Sequence, residues 1–497
     1  MAPPTIGPEL SSSPSPMGTP TANLSSASLR RKSISSLRGK STDSVKSNYS
    51  TVSRTSSSAS IPFSSDDEVE PVQEDGVVHT MGRLHAKRYK TLEFASDLLK
   101  ILVSLRIPTW ASAGSLSPEG VKVFKVSGSL TNAVFFISYP NSPSLKTLLL
   151  RIYGPSSSEL ISRPRELHTL HVLSSRYRIG PRVYGTFENG RVEEYFDSTA
   201  LTASEIRDPV ISGWIGSRMA ELHCVDIEAI EETTPETRGE NVGWDTAARK
   251  NFREWTLPAR EVLRLKSVSE DYKITLDFDR FVDEWGRYML WLDKWERAHG
   301  ASKRVFAHND TQYGNLLRRK EIKEGTPEHR QIIVVDFEYA APNSAAFDIA
   351  NHFHEWTADY HNSTPHILDP KRYPIEQERK NFYKAYLTHA CPPFTTTSVA
   401  TDVNTPSAKL VTVGSGGDIP LDLTTESQKL EAQVRVWSPA SHAMWAVWGL
   451  VQAREDLELA AQAQAKGAQP DRPEFDYLGY SLCRVERFRA ELKALGL

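Results

Sequence analysis

VFAHNDTQYGNLLRRK, residues 305–320, and IIVVDFEYAAPNSAAFDIANHFHE, residues 332–355, decide how this chain is read. In the first stretch His308-Asn309-Asp310 is followed by four residues and then Asn315. In the second, Asp336 closes the apolar run Ile332 to Val335 and precedes Phe337-Glu338. A site that phosphorylates a hydroxyl needs one carboxylate at the attacking oxygen. It also needs an Asn and a second Asp to hold the magnesium that bridges the transferred phosphates. Asp310, Asn315 and Asp336 supply these three in order. Any one of them alone would read as a turn residue or a strand-end cap.

The order and spacing are similar to the protein-kinase pattern H-x-D-x-x-x-x-N followed by an Asp at a strand end. Two positions depart from it: Asn309 stands where a protein kinase has Arg, and Glu338 where it has the Gly of D-F-G. No A-P-E signature or activation-loop segment follows; FDIANHFHEW, residues 347–356, stands there instead. With those changes the chain resembles the choline/ethanolamine kinase family, its fungal choline kinases in particular, from about Val121 to the C-terminus. The resemblance implies an α+β, protein-kinase-like, two-lobed fold. A small N-lobe with an antiparallel sheet would span 81–196, and a larger, mainly helical C-lobe 197–497. It implies Asp310 as the catalytic carboxylate, Asn315 and Asp336 as ligands of Mg2+, and ATP as co-substrate. The reaction implied is phosphorylation of choline to phosphocholine, the first step of phosphatidylcholine synthesis by the CDP-choline route.

At 497 residues the chain has room for two lobes and extra segments. A formal net charge of -3 argues against a general nucleic-acid binder. Cys224, Cys391 and Cys483 are far apart and show no metal-binding spacing, so a reducing compartment and no structural zinc are expected. There is no apolar run long enough to span a bilayer and no signal-peptide core, so a soluble, cytoplasmic protein is expected.

Residues 1–80 read as a disordered Ser-rich tail and an acidic linker, Asp66 to Asp75. The first 60 residues hold 19 serines and cannot bury enough apolar surface to offset their ordering entropy. Arg30-Arg31-Lys32-Ser33 has the form of a basic-directed site for a protein kinase; a solvated tail with incidental basic residues is the alternative. Apolar spacing from Leu92 to Val103 predicts a helix stopped by Pro108. Val121 to Val126 and Ala133 to Tyr139 read as strands joined by Ser127-Gly128-Ser129-Leu130-Thr131-Asn132. That turn is either an ordinary hairpin or a place where backbone N–H groups approach nucleotide phosphates.

Lys146 to Tyr153 reads as a third strand carrying Arg151. By resemblance Arg151 grips the α/β-phosphates, a task its planar fork suits, and Glu166, on a helix from Arg165 to Tyr177, orients it. Ile179 to Phe196 reads as two strands around Glu188-Asn189-Gly190. By resemblance the backbone at Glu194 to Phe196 meets adenine, and Gln312 lies beside the nucleotide. Pro392 to about Gln428 reads as a disordered insertion. Ser438-Pro439 reads as the N-cap and first turn of a helix containing Trp445 and Trp448. His308, Asp348 and His352 read as scaffold.

Trp445 and Trp448 lie three apart on that helix, as do Tyr477 and Tyr480 on the last one, so each pair shares a face. Paired aromatics at this spacing are ordinarily core. The resemblance assigns them, with Glu355 and Tyr360, to a pocket for the acceptor cation, because a quaternary ammonium lacks N–H donors and is held by ring faces. Ethanolamine is the alternative acceptor, and dimers occur in this family. A nucleotide-binding scaffold without catalysis is the alternative of another class.

Overall fold

The computed structural model describes residues 71–128, 132–154, 162–233, 244–390, 423–467 and 475–497, with backbone only at 127–128. Ser33 and most of the expected tail lie outside the described residues. So do Ser129, Thr131, Cys391 and most of the expected insertion.

The amino-terminal part is built on one six-stranded sheet. Its strands are β1 His79–Thr80, β2 Lys122–Gly128, β3 Asn132–Ser138, β4 Leu148–Tyr153, β5 Val183–Phe187 and β6 Gly190–Glu194, in the order β1-β5-β6-β4-β3-β2. All pairings are antiparallel except β1 with β5, a short parallel addition at the edge. Central strand β4 reads as the near-continuous run LLLRIY because both its faces are covered. Helix α1, Leu92–Ser104, is capped by Thr91, whose side chain accepts from the Phe94 N–H, and buries Phe94, Leu98, Ile101 and Leu102 against the sheet. Helix α2, Arg163–Val172, begins two residues before the expected Arg165, with Pro164 in its first turn, and continues as a π turn to Tyr177.

The carboxy-terminal part is mainly helical: α3 Pro209–His223, α4 Ile227–Glu231, α5 Ala247–Leu263, α6 Glu270–Leu276 and α7 Phe278–His299, then α8 Ala345–Glu355, α9 Glu376–His389, α10 Leu423–Ala465 and α11 Tyr477–Leu495. Two small sheets carry the loops of interest. One is β7 Ser198–Ala200, β9 Leu316–Arg319 and β10 Ile332–Val334; the other pairs β8 Arg304–Ala307 with β11 Ala341–Ser344.

Two sequence expectations are corrected here. Pro439 does not open a helix: it lies inside the 43-residue α10. A proline there leaves the Arg435 carbonyl without its helical donor; at the next residue the buried Tyr288 hydroxyl donates to the Val436 carbonyl at 2.5 Å. The expected insertion also ends earlier than Gln428, since α10 begins at Leu423.

The two parts meet at Gly180. Its φ of +75° is one few side chains adopt, and a Cβ there would come within 2.7 Å of the Phe337 ring. Phe337 in turn packs against His308, ring centroids 5.1 Å apart. The loop after β8, the loop after β10 and the inner edge of the sheet are thereby brought together.

Candidate active site

The His308-Asn309-Asp310 loop leaves β8 through a residue of unusual backbone: Asn309 has φ +65°, and Asp336, just after β10, has φ +68°. Left-handed non-glycine residues persist only where their surroundings hold them. Asp348, in the first turn of α8, does so for Asn309. Its carboxylate accepts the His308 N–H at 3.0 Å and the Asn309 N–H at 2.8 Å. Burial pushes the Asp348 carboxyl up, but the His223 ring 3.0 Å away and His308 together outweigh it and hold the carboxyl below the usual range. His308 Nδ1 accepts from the Asp310 N–H at 3.2 Å, and Nε2 lies 3.0 Å from the Val335 carbonyl. His308 thus ties the two loops together. His352 bonds the Thr311 carbonyl at 2.8 Å, the scaffold role expected of it.

Asp310 Oδ2 accepts from Asn315 Nδ2 at 2.9 Å, and Asn315 Oδ1 accepts from Gln312 Nε2 at 3.1 Å. Burial, then the charges of Glu355 and Asp336, push the Asp310 carboxyl well above its ordinary range. Burial followed by Asp336 does the same to Glu338. For Asp336 burial also wins, against the opposing pull of Arg151. Asp336 Oδ1 is buried and has no hydrogen-bond partner among the described residues. Crowded carboxylates, an amide oxygen and an orphaned oxygen form a hard-oxygen donor set, which fits magnesium.

On the sheet side Arg151 lies 3.5 Å from Glu193 and 4.0 Å from Glu166. The nearer partner of Glu166 is Arg191, at 2.5 Å; Arg191 also donates to Glu193 at 2.6 Å. Glu166 therefore reaches Arg151 within a four-member cluster rather than as the simple pair expected. Ser127 and Gly128 end β2, and Asn132 opens β3. The Glu194 carboxylate accepts from the Arg182 N–H at 3.3 Å. Phe196 is buried with Leu317, Ile333 and Val335.

Helices α10 and α11 carry an aromatic wall. The Trp445 and Trp448 rings meet edge to face at 5.1 Å, and Trp448 meets Tyr477 at 5.8 Å and Tyr480 at 5.9 Å. Tyr339 packs on Trp445 at 5.3 Å, and its hydroxyl accepts from Trp448 Nε1 at 2.8 Å. Helices α10 and α11 approach closely enough for this because residue 449 is Gly: a Cβ there would lie 2.5 Å from Ser481 Oγ. Asn351 links wall and loop, accepting from Trp445 Nε1 at 2.7 Å and donating to the Asn309 carbonyl at 3.0 Å. Tyr360 donates to Glu355 Oε2 at 2.6 Å. Glu355, Tyr360, both tryptophans and both tyrosines, scattered over 126 residues of sequence, thus share one region with Asp310.

Behind the wall His354 and His442 stack at 3.8 Å, with Glu491 Oε1 at 3.5 Å and 3.6 Å from their Nε2 atoms. The distances suit a metal, but Arg484 Nη1 directs an N–H at His442 Nδ1, 3.3 Å away, so that ring keeps its proton on Nε2 toward Glu491. Burial, then His354, hold His442 down to about 3 and neutral. The cluster is a hydrogen-bonded support.

Sequence reasoning missed Arg191, Glu193, Tyr339, Asn351 and Arg484. Some signals were present. Arg191 and Glu193 alternate on one face of a strand, Tyr339 directly follows Glu338, and Arg484 lies four residues after Tyr480 on one helix face.

Comparison with known proteins gives a match of residues 123–489 to the profile of the family described as choline/ethanolamine kinase. A choline kinase of Schizosaccharomyces pombe is 34% identical over 429 residues, 81% of this chain and 90% of that protein. Among solved structures, an ethanolamine kinase of Plasmodium vivax shares the fold with a TM-score of 0.55 at 19% identity, over 81% of this chain and 91% of its own. A choline kinase of Cryptosporidium parvum does so with a TM-score of 0.55 at 21% identity, over 80% and 95%.

Proposed function

This chain belongs to the choline/ethanolamine kinase family, and from that premise we propose that it transfers the γ-phosphoryl group of ATP to the hydroxyl of choline. The observation that carries the acceptor is the wall of Trp445, Trp448, Tyr339, Tyr477 and Tyr480 beside the field of Glu355 and Asp310. Ring faces hold a cation that has no N–H to donate.

In this reading Glu355, Tyr360 and the four aromatics of α10 and α11 bind the ammonium and aim the hydroxyl at Asp310. The choline oxygen bonds the γ-phosphorus as the bond from phosphorus to the leaving oxygen of ADP breaks, and the hydroxyl proton passes to Asp310. Burial first and then the Glu355 charge push the Asp310 carboxyl up; a cationic acceptor offsets the Glu355 share and so favours the carboxylate that takes the proton. Magnesium at Asn315 and Asp336 would neutralise charge on the transferred phosphates. Arg151, oriented by Glu166, grips those phosphates. Ser127, Gly128, Ser129, Thr131 and Asn132 cover them, Glu194 to Phe196 meet adenine, and Gln312 lies beside the nucleotide.

The product serves phosphatidylcholine synthesis in the cytoplasm, the family resemblance supports a homodimer, and the basic run Arg30-Arg31-Lys32 supports Ser33 as a protein-kinase site, with a solvated tail as the alternative. Among the described residues no helix is long and apolar enough to cross a membrane. Ethanolamine is the second reading: the Glu355 carboxylate is an acceptor that a primary ammonium could use. Magnesium-dependent phosphorylation of choline and ethanolamine, measured side by side with an Asp310→Ala control, tests both. Choline turnover lost in the control supports the proposal; preference for ethanolamine replaces the acceptor; equal turnover in the control overturns the assignment of Asp310.

A further inference from the structure

We propose that Arg484 is a specificity-determining positioning residue, which engages Glu355 so that the acceptor pocket favours a quaternary over a primary ammonium. This rests on the reading of that pocket as the amino-alcohol site. Arg484 is fully buried on α11, and its fork is used in three directions. Nε donates to the Tyr480 hydroxyl at 3.0 Å, Nη1 to His442 Nδ1 at 3.3 Å and Nη2 to Glu355 Oε1 at 3.1 Å. Its guanidinium also lies 5.0 Å from the centre of the Tyr480 ring. The other Glu355 oxygen takes the Tyr360 hydroxyl at 2.6 Å.

Glu355 therefore enters the pocket with a donor on each oxygen and a guanidinium charge beside it. The neutral His442, itself facing Glu491 at 3.6 Å, fixes Arg484 from behind. For a quaternary ammonium this costs little, because it needs ring faces and a diffuse field. A primary ammonium has three N–H groups to satisfy on desolvation, and the Glu355 carboxylate it would turn to is already engaged. The pairing weakens the attraction of Glu355 for either cation, but only the primary one also loses hydrogen-bond strength. The discrimination follows from that difference.

The test is the ratio of dissociation constants for choline and ethanolamine, measured by titration calorimetry on the full chain. The variants are Arg484→Met, Arg484→Lys and the double variant Arg484→Met with Glu355→Gln. Freeing Glu355 in Arg484→Met should move the ratio toward ethanolamine by about tenfold, the scale of one hydrogen bond to a charged group. The double variant, lacking a carboxylate, should return it toward wild type. Arg484→Lys keeps the charge but not the fork and should move the ratio the same way by less. If Arg484→Met does not fold, Arg484→Lys carries the test. A ratio within about twofold of wild type in every folded variant, even with both affinities weakened, gives Arg484 a structural role only and overturns the proposal. Failure of the phosphotransfer reading would show separately, as absent turnover by the wild type.

Discussion

Arg151 and Arg191 stand directly opposite each other across the β4–β6 ladder. Like charges in that register repel, and the pair is stable because Glu166 and Glu193 lie between them. Burial pushes the Glu166 carboxyl up, but the Arg191 and Arg151 guanidiniums outweigh it and hold Glu166 at about 2. Removing Arg191 would leave two buried carboxylates short of a partner. Arg191→Met should therefore cost about 3–5 kcal/mol of stability, read as a lowered denaturation midpoint. Arg151→Lys, at the more loosely held position, should melt near wild type yet lose about tenfold in kcat/KM for ATP, the worth of one charge-assisted bond.

The carboxylates across the site carry the opposite sign. Asp310 and Glu338 are raised by burial and by their neighbours, so the folded state binds more protons than the unfolded one between their ordinary and raised pKa values. Stability from these groups is present at low pH and lost as pH rises through the raised values. Glu166, held low, contributes stability above its ordinary pKa that is lost as pH falls toward about 2. Melting of the metal-free enzyme should thus fall as pH rises above the ordinary carboxylate range, and added Mg·ATP should stabilise more at the upper end of that fall. Asp310→Asn should melt above wild type while losing about 10²–10⁴-fold in kcat. A flat pH profile with no magnesium effect would remove the crowding argument.

Each ring of the wall is expected to contribute about 0.5–2 kcal/mol to a bound cation. Trp448→Ala should therefore raise KM for choline roughly two- to thirty-fold with little change in kcat, because among the described residues Trp448 bonds only the Tyr339 hydroxyl. Trp445→Ala should lower kcat as well, since its indole N–H holds Asn351, which holds the Asn309 carbonyl. Steady-state kinetics on the two variants separates the roles. Identical KM effects with unchanged kcat would break the proposed link from Trp445 to the loop.

The parts of the site legible in the sequence were those carried by local order: Asp310 to Asn315, Asp336 after its apolar strand, Arg151 in LLLRIY, and the helical spacing of Trp445 with Trp448. What escaped depends on long-range pairing. That Arg191 faces Arg151 follows from the register of two strands about 40 residues apart, and sequence spacing gives no register. Arg484 meets Glu355 across 129 residues. Pro439 misled because a proline after a serine is also a good helix start; tertiary packing around Tyr288 carried the helix through it.

Asp348 offers the sharpest test of what holds the catalytic loop. Its two oxygens accept adjacent backbone N–H groups, those of His308 and Asn309, while the strained Asn309 at φ +65° needs the support. Asp348→Asn keeps the size but turns one acceptor into a donor facing either an N–H or the His223 ring. The buried donor left unpaired should cost about 1–3 kcal/mol of stability. The loop should relax toward an ordinary backbone and displace Asp310 from the hydroxyl, and a shift of that order costs about 10²-fold in kcat. Neither ATP nor the acceptor touches Asp348 in this reading, so both KM values should stay within about twofold. A large rise in KM for ATP would instead make Asp348 part of the nucleotide site, and unchanged kcat would mean that the loop keeps its shape without it.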